Sequence, residues 1–407
     1  MEKVNVLSLF SGIGAWEKAL ERVNIPFNLV NYCEIDKYAG KAFSLIHNVP
    51  EEKNLVDVTK VDTSKITEKI DLITYSFPCQ DLSIAGKKRG FVDKETGETT
   101  RSGLFFDAVK IIKDLQPKYA IAENVKNLTG SGFKEEFKTV LKSLEDIGYV
   151  NYWKVLNSKD YGIPQNRERV FIISIRKDLD DFRFRFPQPI PLEKKLRDLL
   201  EDNADEAYTK KGPKVDKFID KLLQDKNIFI TDDGNYEISD KYKNAVHILE
   251  NAKIEEIGNI DIRENGWKSP NTGRIYSSSG ISPALTTCQG GNLVPKILEI
   301  ANINYLGNLA ERKTFNHPQE GVVLGVDGIS TCFTIHPDHV PKIIEKGDNL
   351  KIRQLTPKEC FRLMGFDDKD VDILIANGFS KTQIYKMAGN SIVVNVLEEI
   401  FKCLFRV

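Results

Sequence analysis

Cys79 leaves the chain at the end of a short apolar run, Leu72-Ile73, directly after Phe77-Pro78. A proline fixes its own φ and restricts the residue before it, so the cysteine departs from a stiff support. A thiol just past a strand's carboxyl end sits where open α/β sheets take their ligands. Taken alone, such a cysteine is either a reactive thiol or a buried one with a packing role. Other groups arrive at comparable places. Glu123 follows an apolar strand pattern at residues 119–122, and Arg167 and Arg169 precede another at 170–175. Arginines alternating beside a strand place one on a solvated face and one in an ion pair. Between the thiol and residue 102 lies a segment rich in Gly, Lys and Arg, which reads as a loop suited to phosphates or as an ordinary solvated loop.

The elements that would position these groups begin with an apolar strand at residues 4–10, then Ser11-Gly12-Ile13-Gly14, then a helical pattern through Trp16, Ala19 and Leu20. Strand, glycine turn and helix open a nucleotide-type βαβ unit, and the glycines let a ligand approach the backbone near the helix start. The dinucleotide fingerprint wants a third glycine where Glu17 stands, which disfavours NAD and FAD. A second strand at 27–32 ends in Cys33-Glu34-Ile35-Asp36. Acids there are placed to accept from ribose hydroxyls, although Asp36 equally suits a helix N-cap. Asp57 is a third acid of this kind. Helices are expected at 104–115 and 137–147, with a strand at 153–156. Near the C-terminus Thr356-Pro357 reads as N-cap and first helical position. An amphipathic helix, entered through Gly389-Asn390-Ser391, closes the chain.

Composition sets the bounds. A chain of 407 residues holds two or three domains, and its net charge of −1 restricts any nucleic-acid binding to local basic patches. Six cysteines without a CxxC argue for reduced thiols in a cytosol. Cys332, His336 and His339 have a spacing that a metal tolerates, but no fourth ligand is evident, so no metal is expected. No signal peptide or membrane span is read, which points to a soluble cytoplasmic protein.

Together these segments resemble the cytosine-5 DNA methyltransferases that use S-adenosylmethionine. The resemblance rests on FSGIG (10–14), Glu34 with Asp36, Asp57, FPCQDLSIAGKKRG (77–90), ENV (123–125), QNRER (165–169), RQLTPKECFRLMGF (353–366) and MAGNSIVVNV (387–396). The chain departs from the pattern at Ser8, usually Asp, at Ala15, usually Gly, and at Ile35, usually a larger stacking residue. The resemblance implies a Rossmann-like α/β methyltransferase fold with an inserted, smaller β-rich target recognition domain. It implies that Cys79 attacks carbon 6 of a cytosine, that Glu123 holds N3 and the exocyclic amine, that Arg167 holds O2, and that Arg169 orients the site. Gln165 reads as structural. The cofactor residues it implies are Phe10, Ser11, Gly12, Ile13, Gly14, Glu34, Ile35, Asp57, Val58, Pro78, Leu104, Asn390 and Ser391. The implied DNA contacts are Gln80, Ser83, Lys87, Arg89, Thr286, Thr287, Gln289, Gly290 and Gly291. The partner is then double-stranded DNA, with the target base swung out of the helix. A cognate restriction endonuclease acting on the same site is a further expectation, and the chain is expected to be a monomer. A tRNA substrate is the nearest rival.

The catalytic domain is expected at 1–200 plus 380–407, the recognition domain at 201–350, and a hinge or support segment at 351–379. Within the recognition domain a repeat runs from 257–297 to 300–343. Ile257-Gly258-Asn259-Ile260, Gly280-Ile281-Ser282 and Val294-Pro295-Lys296-Ile297 are followed by Ile300-Ala301-Asn302-Ile303, Gly328-Ile329-Ser330 and Val340-Pro341-Lys342-Ile343. The alternative is chance similarity among β-rich segments.

Overall fold

The computed structural model describes residues 2–78, 91, 100–194, 196–210, 220, 224 and 355–407, with the backbone of short strands between 228 and 354. Strand β1 (Val4–Leu9) lies centrally, parallel to β2 (Phe27–Cys33) on one side and to β3 (Leu72–Tyr75) on the other. Parallel β4 (Tyr119–Val125) follows, and the antiparallel pair β6 (Glu168–Arg176) and β5 (Tyr149–Asn157) completes the order β2-β1-β3-β4-β6-β5. The connection turns one way from β1 to β2 and the other way to β3. That reversal leaves a crevice beyond the carboxyl ends of β1 and β3, the usual ligand position in an open parallel sheet.

Alternation along each strand divides the core into two layers. Val6, Leu72, Ile121 and Ile173 join one buried cluster, while Leu7, Ile73, Ala122 and Ile172 join the other. The second layer is covered by α3 (Phe105–Leu115) and α4 (Lys134–Asp146) through Phe105, Ile112, Val140 and Leu144. The first is covered by α1 (Ala15–Arg22), α2 (Lys37–His47) and the C-terminal helices. Those are α5 (Pro357–Leu363), α6 (Asp368–Ala376), α7 (Lys381–Asn390) and α8 (Val394–Phe405). Trp16 of α1 sets its ring edge against Phe171 of β6 and Phe401 of α8, with centroids 6.5 and 6.0 Å away.

The helix α5 starts as its sequence dictates. Thr356 accepts from the backbone of Glu359, and Glu359 returns a carboxylate oxygen to the Thr356 N–H at 2.7 Å. The other Glu359 oxygen accepts from the backbone N–H of Glu201 at 2.9 Å, which ties the segment around 201 to the start of α5. Residues 355–379 share one core with β1 and α1: Phe361, Leu363, Met364, Val371 and Leu374 are buried there. Across it, Lys18 of α1 donates to Asp370 of α6 at 2.8 Å, both side chains being almost fully buried. A buried pair of this kind fixes how α1 sits on α6 more than it adds net stability.

Between 209 and 354 the described backbone is helical at 220 and 224 and otherwise short strands, in three small sheets. Among the described residues, no helix is long and apolar enough to cross a membrane.

Candidate active site

At the end of β1 the chain turns sharply. Phe10 has φ 51°, Gly12 56° and Gly14 82°. Phe10 is a non-glycine residue in left-handed backbone, which ends the strand one residue earlier than its apolar pattern implies. Ser11 donates its N–H to the Cys33 carbonyl at 3.2 Å. Gly12 donates to Glu34 Oε2 at 2.9 Å, while the other oxygen of Glu34 accepts from the Asp36 N–H at 2.8 Å. A side chain at Gly14 would run into His47, whose imidazole faces the Ile13 carbonyl at 3.1 Å. At Gly12, by contrast, the space a Cβ would occupy is open. The loop therefore presents a bare backbone and a half-buried acid to the crevice. Burial raises the Glu34 carboxyl above the usual range, against the pull of the two N–H donors.

Asp36 does two jobs at once. One oxygen caps α2 by accepting from Tyr38 and Ala39, and the other receives Lys386 of α7 at 2.6 Å. Its partial burial pushes the carboxyl up, but Lys386 and the two N–H groups outweigh this and hold it below the usual range. Asp57 caps the short turn Val58–Lys60, and its Oδ1 accepts from the Thr59 N–H and hydroxyl. Val58 is buried, Leu104 half-buried, and Ile35 exposed at the rim. Ser391 is buried next to Asn390, which is exposed.

Sequence reasoning missed two residues here. Asn54 accepts from the Glu34 N–H, donates to the Glu34 carbonyl at 3.0 Å and accepts from the Val56 N–H at 2.9 Å. Val56 itself has φ 63°, an outlier for a β-branched side chain, and it is exposed. Nothing in a short polar-apolar run announces either feature, because both depend on the partner strand.

The second part of the site lies where β3, β4 and β6 end. Asn124 donates to the Phe77 carbonyl at 2.9 Å, and Ser102 donates to the Pro78 carbonyl at 2.8 Å. Two neighbouring elements thus grip the two residues that precede Cys79. Glu123 is fully within β4 and pairs in register with Phe171; Arg169, two residues back on β6, lies diagonally across on the same face. Its Nε meets Glu123 Oε1 at 3.0 Å, and both side chains are largely buried. Burial raises the Glu123 carboxyl; Arg169, Arg167 and the Ser76 hydroxyl pull it back without overcoming that effect. The result is a carboxyl able to carry a proton closer to neutral pH than a surface glutamate does.

Arg167, expected on the base, is tied to the C-terminal segment. It lies in the bend before β6, outside the alternation of the strand. Its Nη2 donates to the carbonyls of Gly389 (3.1 Å) and Ser391 (2.7 Å) at the carboxyl end of α7. A cation there satisfies helix-end carbonyls and complements the dipole. Arg169 is the arginine that meets Glu123. Gln165 is buried, and its amide donates to the Leu363 carbonyl at 3.1 Å, a structural tie between the bend and α5.

Cys79 and the expected DNA contacts Gln80, Ser83, Lys87, Arg89, Thr286, Thr287, Gln289, Gly290 and Gly291 lie outside the described residues, as do Cys332, His336 and His339. Among the described residues no cluster of His, Cys, Asp or Glu is arranged to hold a metal ion.

Comparison with known proteins places this geometry. Among solved structures, an Entamoeba histolytica methyltransferase, EhMeth, matches with TM-score 0.62 over 100% of this chain and 99% of its own, at 17% identity. A Spodoptera frugiperda DNMT2 matches with TM-score 0.60 over 99% of this chain and 100% of its own, at 18% identity. These likenesses establish the Rossmann-like methyltransferase fold. In sequence, the orphan methyltransferase M.SPRI of Bacillus phage SPR is 34% identical over 99% of this chain and 97% of its own length. The type II methyltransferase M.HhaI of Haemophilus parahaemolyticus is 29% identical over 97% and 92%. Residues 4–406 match the family model described as C-5 cytosine-specific DNA methylase. The chain accordingly belongs to the C-5 cytosine-specific DNA methylase family and is a DNA cytosine-5 methyltransferase of the restriction-modification type.

Proposed function

We propose that this enzyme methylates carbon 5 of a cytosine swung out of duplex DNA, through a transient bond from Cys79. The observation that carries the reading is the buried Glu123–Arg169 pair beside the gripped Phe77-Pro78 exit. Carbon 5 of cytosine is a poor nucleophile. Attack of the Cys79 thiolate on carbon 6 forms an S–C bond and moves the ring's electrons toward N3. Glu123, whose carboxyl burial shifts upward, donates a proton there as the charge develops. The electron pair returned to carbon 5 then takes the methyl group. After the C5 proton passes to water, the S–C6 bond breaks, the thiolate leaves and Glu123 recovers its proton from N3.

S-Adenosylmethionine, when bound, supplies the methyl group as an electrophilic sulfonium. The open backbone at Gly12 and the acids at the ends of neighbouring strands fit such a molecule. Phe10, Ser11, Gly12, Ile13 and Gly14 form the cradle, Glu34 accepts from ribose hydroxyls, and Ile35 and Val56 offer apolar contact to a purine. Asp57, Val58, Pro78, Leu104, Asn390 and Ser391 complete the pocket. Arg169 holds Glu123 in place and faces the base, while Arg167 anchors the C-terminal wall. Ser83, Lys87 and Arg89 serve the DNA backbone. The base must leave the stack because its reacting atoms are covered inside the duplex, at a cost of a few kcal/mol.

The reading includes one monomer acting in the cytoplasm, with 1–200 and 380–407 as the catalytic part and 201–350 as the recognition part. Its product, a methylated cytosine in a fixed sequence, protects DNA from any endonuclease that cuts there. Bisulfite sequencing of DNA from cells expressing the protein tests this. Methylated cytosines in one sequence context are expected, and Cys79→Ser should erase them. Methylation that survives Cys79→Ser would overturn the covalent mechanism.

A further inference from the structure

Asn54 ties together three backbone groups at the rim of the crevice. A parallel bridge sets it beside Tyr32 of β2, the edge strand of the sheet, and the Leu55 N–H donates to the Tyr32 carbonyl at 2.7 Å. Its side-chain amide continues that pairing one step past the strand. Asn54 Oδ1 accepts from the Glu34 N–H at 2.9 Å, and Nδ2 donates to the Glu34 carbonyl at 3.0 Å. The same oxygen accepts from the Val56 N–H at 2.9 Å, which fills both of its acceptor positions.

Two local costs converge on this amide. Val56 is the centre of a three-residue turn, with φ 63° and the Asp57 N–H donating to the Leu55 carbonyl at 2.8 Å. A γ-turn of this hand is rare and strained, and a β-branched residue suits it poorly. Core packing does not hold Val56 there, since 49% of it is exposed. The second cost lies in the first turn of α2. A Cβ at Gly40 would come within 2.7 Å of Asn54 Nδ2, so the helix carries a glycine where alanine would serve it better.

An amide that only closed a loop would require neither concession. The segments it joins carry exposed apolar side chains: Ile35, 71% exposed, directly follows Glu34, and Val56 lies two residues beyond Asn54. The turn also aims the chain into Asp57 and Val58, the N-cap and first residue of the next short helical turn. Backbone strain of this kind gathers at ligand clamps, where surrounding contacts over-determine it.

We propose that Asn54 is a positioning residue for the cofactor pocket: its amide fixes the end of β2 and the turn at Val56 as one preorganised lip for the purine. This rests on the cofactor reading above. The three hydrogen bonds of Asn54 go to main chain, so it acts through Glu34 and Val56. A lip ordered in advance has no ordering cost left to meet on binding, and the gain appears as affinity.

Calorimetric titration of the full-length protein with S-adenosylhomocysteine tests this, beside thermal melting without ligand. Asn54→Ala should weaken binding about 10- to 100-fold, the loss expected for two or three hydrogen bonds. The KM for S-adenosylmethionine should carry the same change, and kcat at saturating cofactor should not. Gly40→Ala crowds the amide from the side of α2 and should weaken binding about 3- to 10-fold. Val56→Gly keeps the turn, because glycine takes this φ without strain, and removes the apolar tip. It should melt no lower than the wild type and bind about 3- to 10-fold more weakly.

Should Asn54→Ala fail to fold, the Gly40 and Val56 variants decide. Wild-type affinity in a folded Asn54→Ala, or in both other variants, overturns the proposal. A fall in kcat without a rise in KM does so too, as does a lower melting point for Val56→Gly, which would mean an unstrained turn. A wild type that binds no S-adenosylhomocysteine would overturn the cofactor pocket and this inference with it. Tight wild-type binding that all three variants keep would overturn this inference alone.

Discussion

Glu34, half-buried, and Glu123, buried, both lie near carboxyl ends of strands in one sheet, yet they are held in different ways. Glu34 spends its oxygens on the main chain, accepting from Gly12 and Asp36. Glu123 is held by a side chain, Arg169, across the strand pair. Backbone donors fix an acid in place and make it part of the wall. A side-chain partner holds it by charge and leaves its proton exchangeable. A third acid, Glu17, sharpens the contrast: it is fully buried, and neither oxygen meets a hydrogen-bond donor among the described residues. Burial pushes its carboxyl up to about 7, against a weaker opposing influence of the Ser8 side chain. Two strand ends and the helix α1 thus carry three acids held in three ways, by the main chain, by an arginine and by burial alone.

Substitution by glutamine separates the three. Glu123→Gln keeps the shape and removes the transferable proton, so single-turnover methylation should slow by about 10²- to 10⁴-fold. A change of less than threefold would make Glu123 another framework acid. Glu17→Gln should act on stability instead. The folded-state value near 7 lies above the ordinary 4.5, so the native state keeps a proton that the unfolded chain has released. Stability is then lost as pH rises from about 4.5 to 7 and stays level above that. The glutamine variant should lack this slope and gain roughly 3 kcal/mol at pH 8, from about 1.4 kcal/mol per pH unit. Urea unfolding at pH 5 and pH 8 measures it, and an unchanged slope would mean that Glu17 is charged in the native state. The smallest effect is expected at Glu34→Gln. The KM for S-adenosylmethionine should rise about tenfold with kcat unchanged, the cost of weakening one charged hydrogen bond. A fall in kcat without a change in KM would move Glu34 out of the wall and into the chemistry.

What the sequence reveals follows the range of its signals. Apolar alternation and glycine turns are local, so β1, β2 and the helix start at Thr356 can be read directly. The end of β1 can be read only to within a residue, because Phe10 takes left-handed backbone that no apolar pattern encodes. Strand β4 extends to Val125, placing Glu123 inside the ladder, because its last pairs are fixed by β6 and not by its own residues. The roles of Arg167 and Arg169 are beyond spacing alone. Two residues apart, they would share a face on a strand, but β6 starts at Glu168 and leaves Arg167 in a bend. Asn54 and Val56 gain meaning only beside Glu34.

The contact of Trp16 with Phe401 joins the first helix of the chain to its last. A ribosome adding 5–20 residues per second therefore makes α1 roughly 20–80 s before it makes the helix that covers it. For that interval the side of α1 that meets α8 has no native cover, and Arg167 lacks the carbonyls of Gly389 and Ser391. A chain that stops before α7 is made therefore lacks both the ring of Phe401 against Trp16 and the carbonyls that hold Arg167.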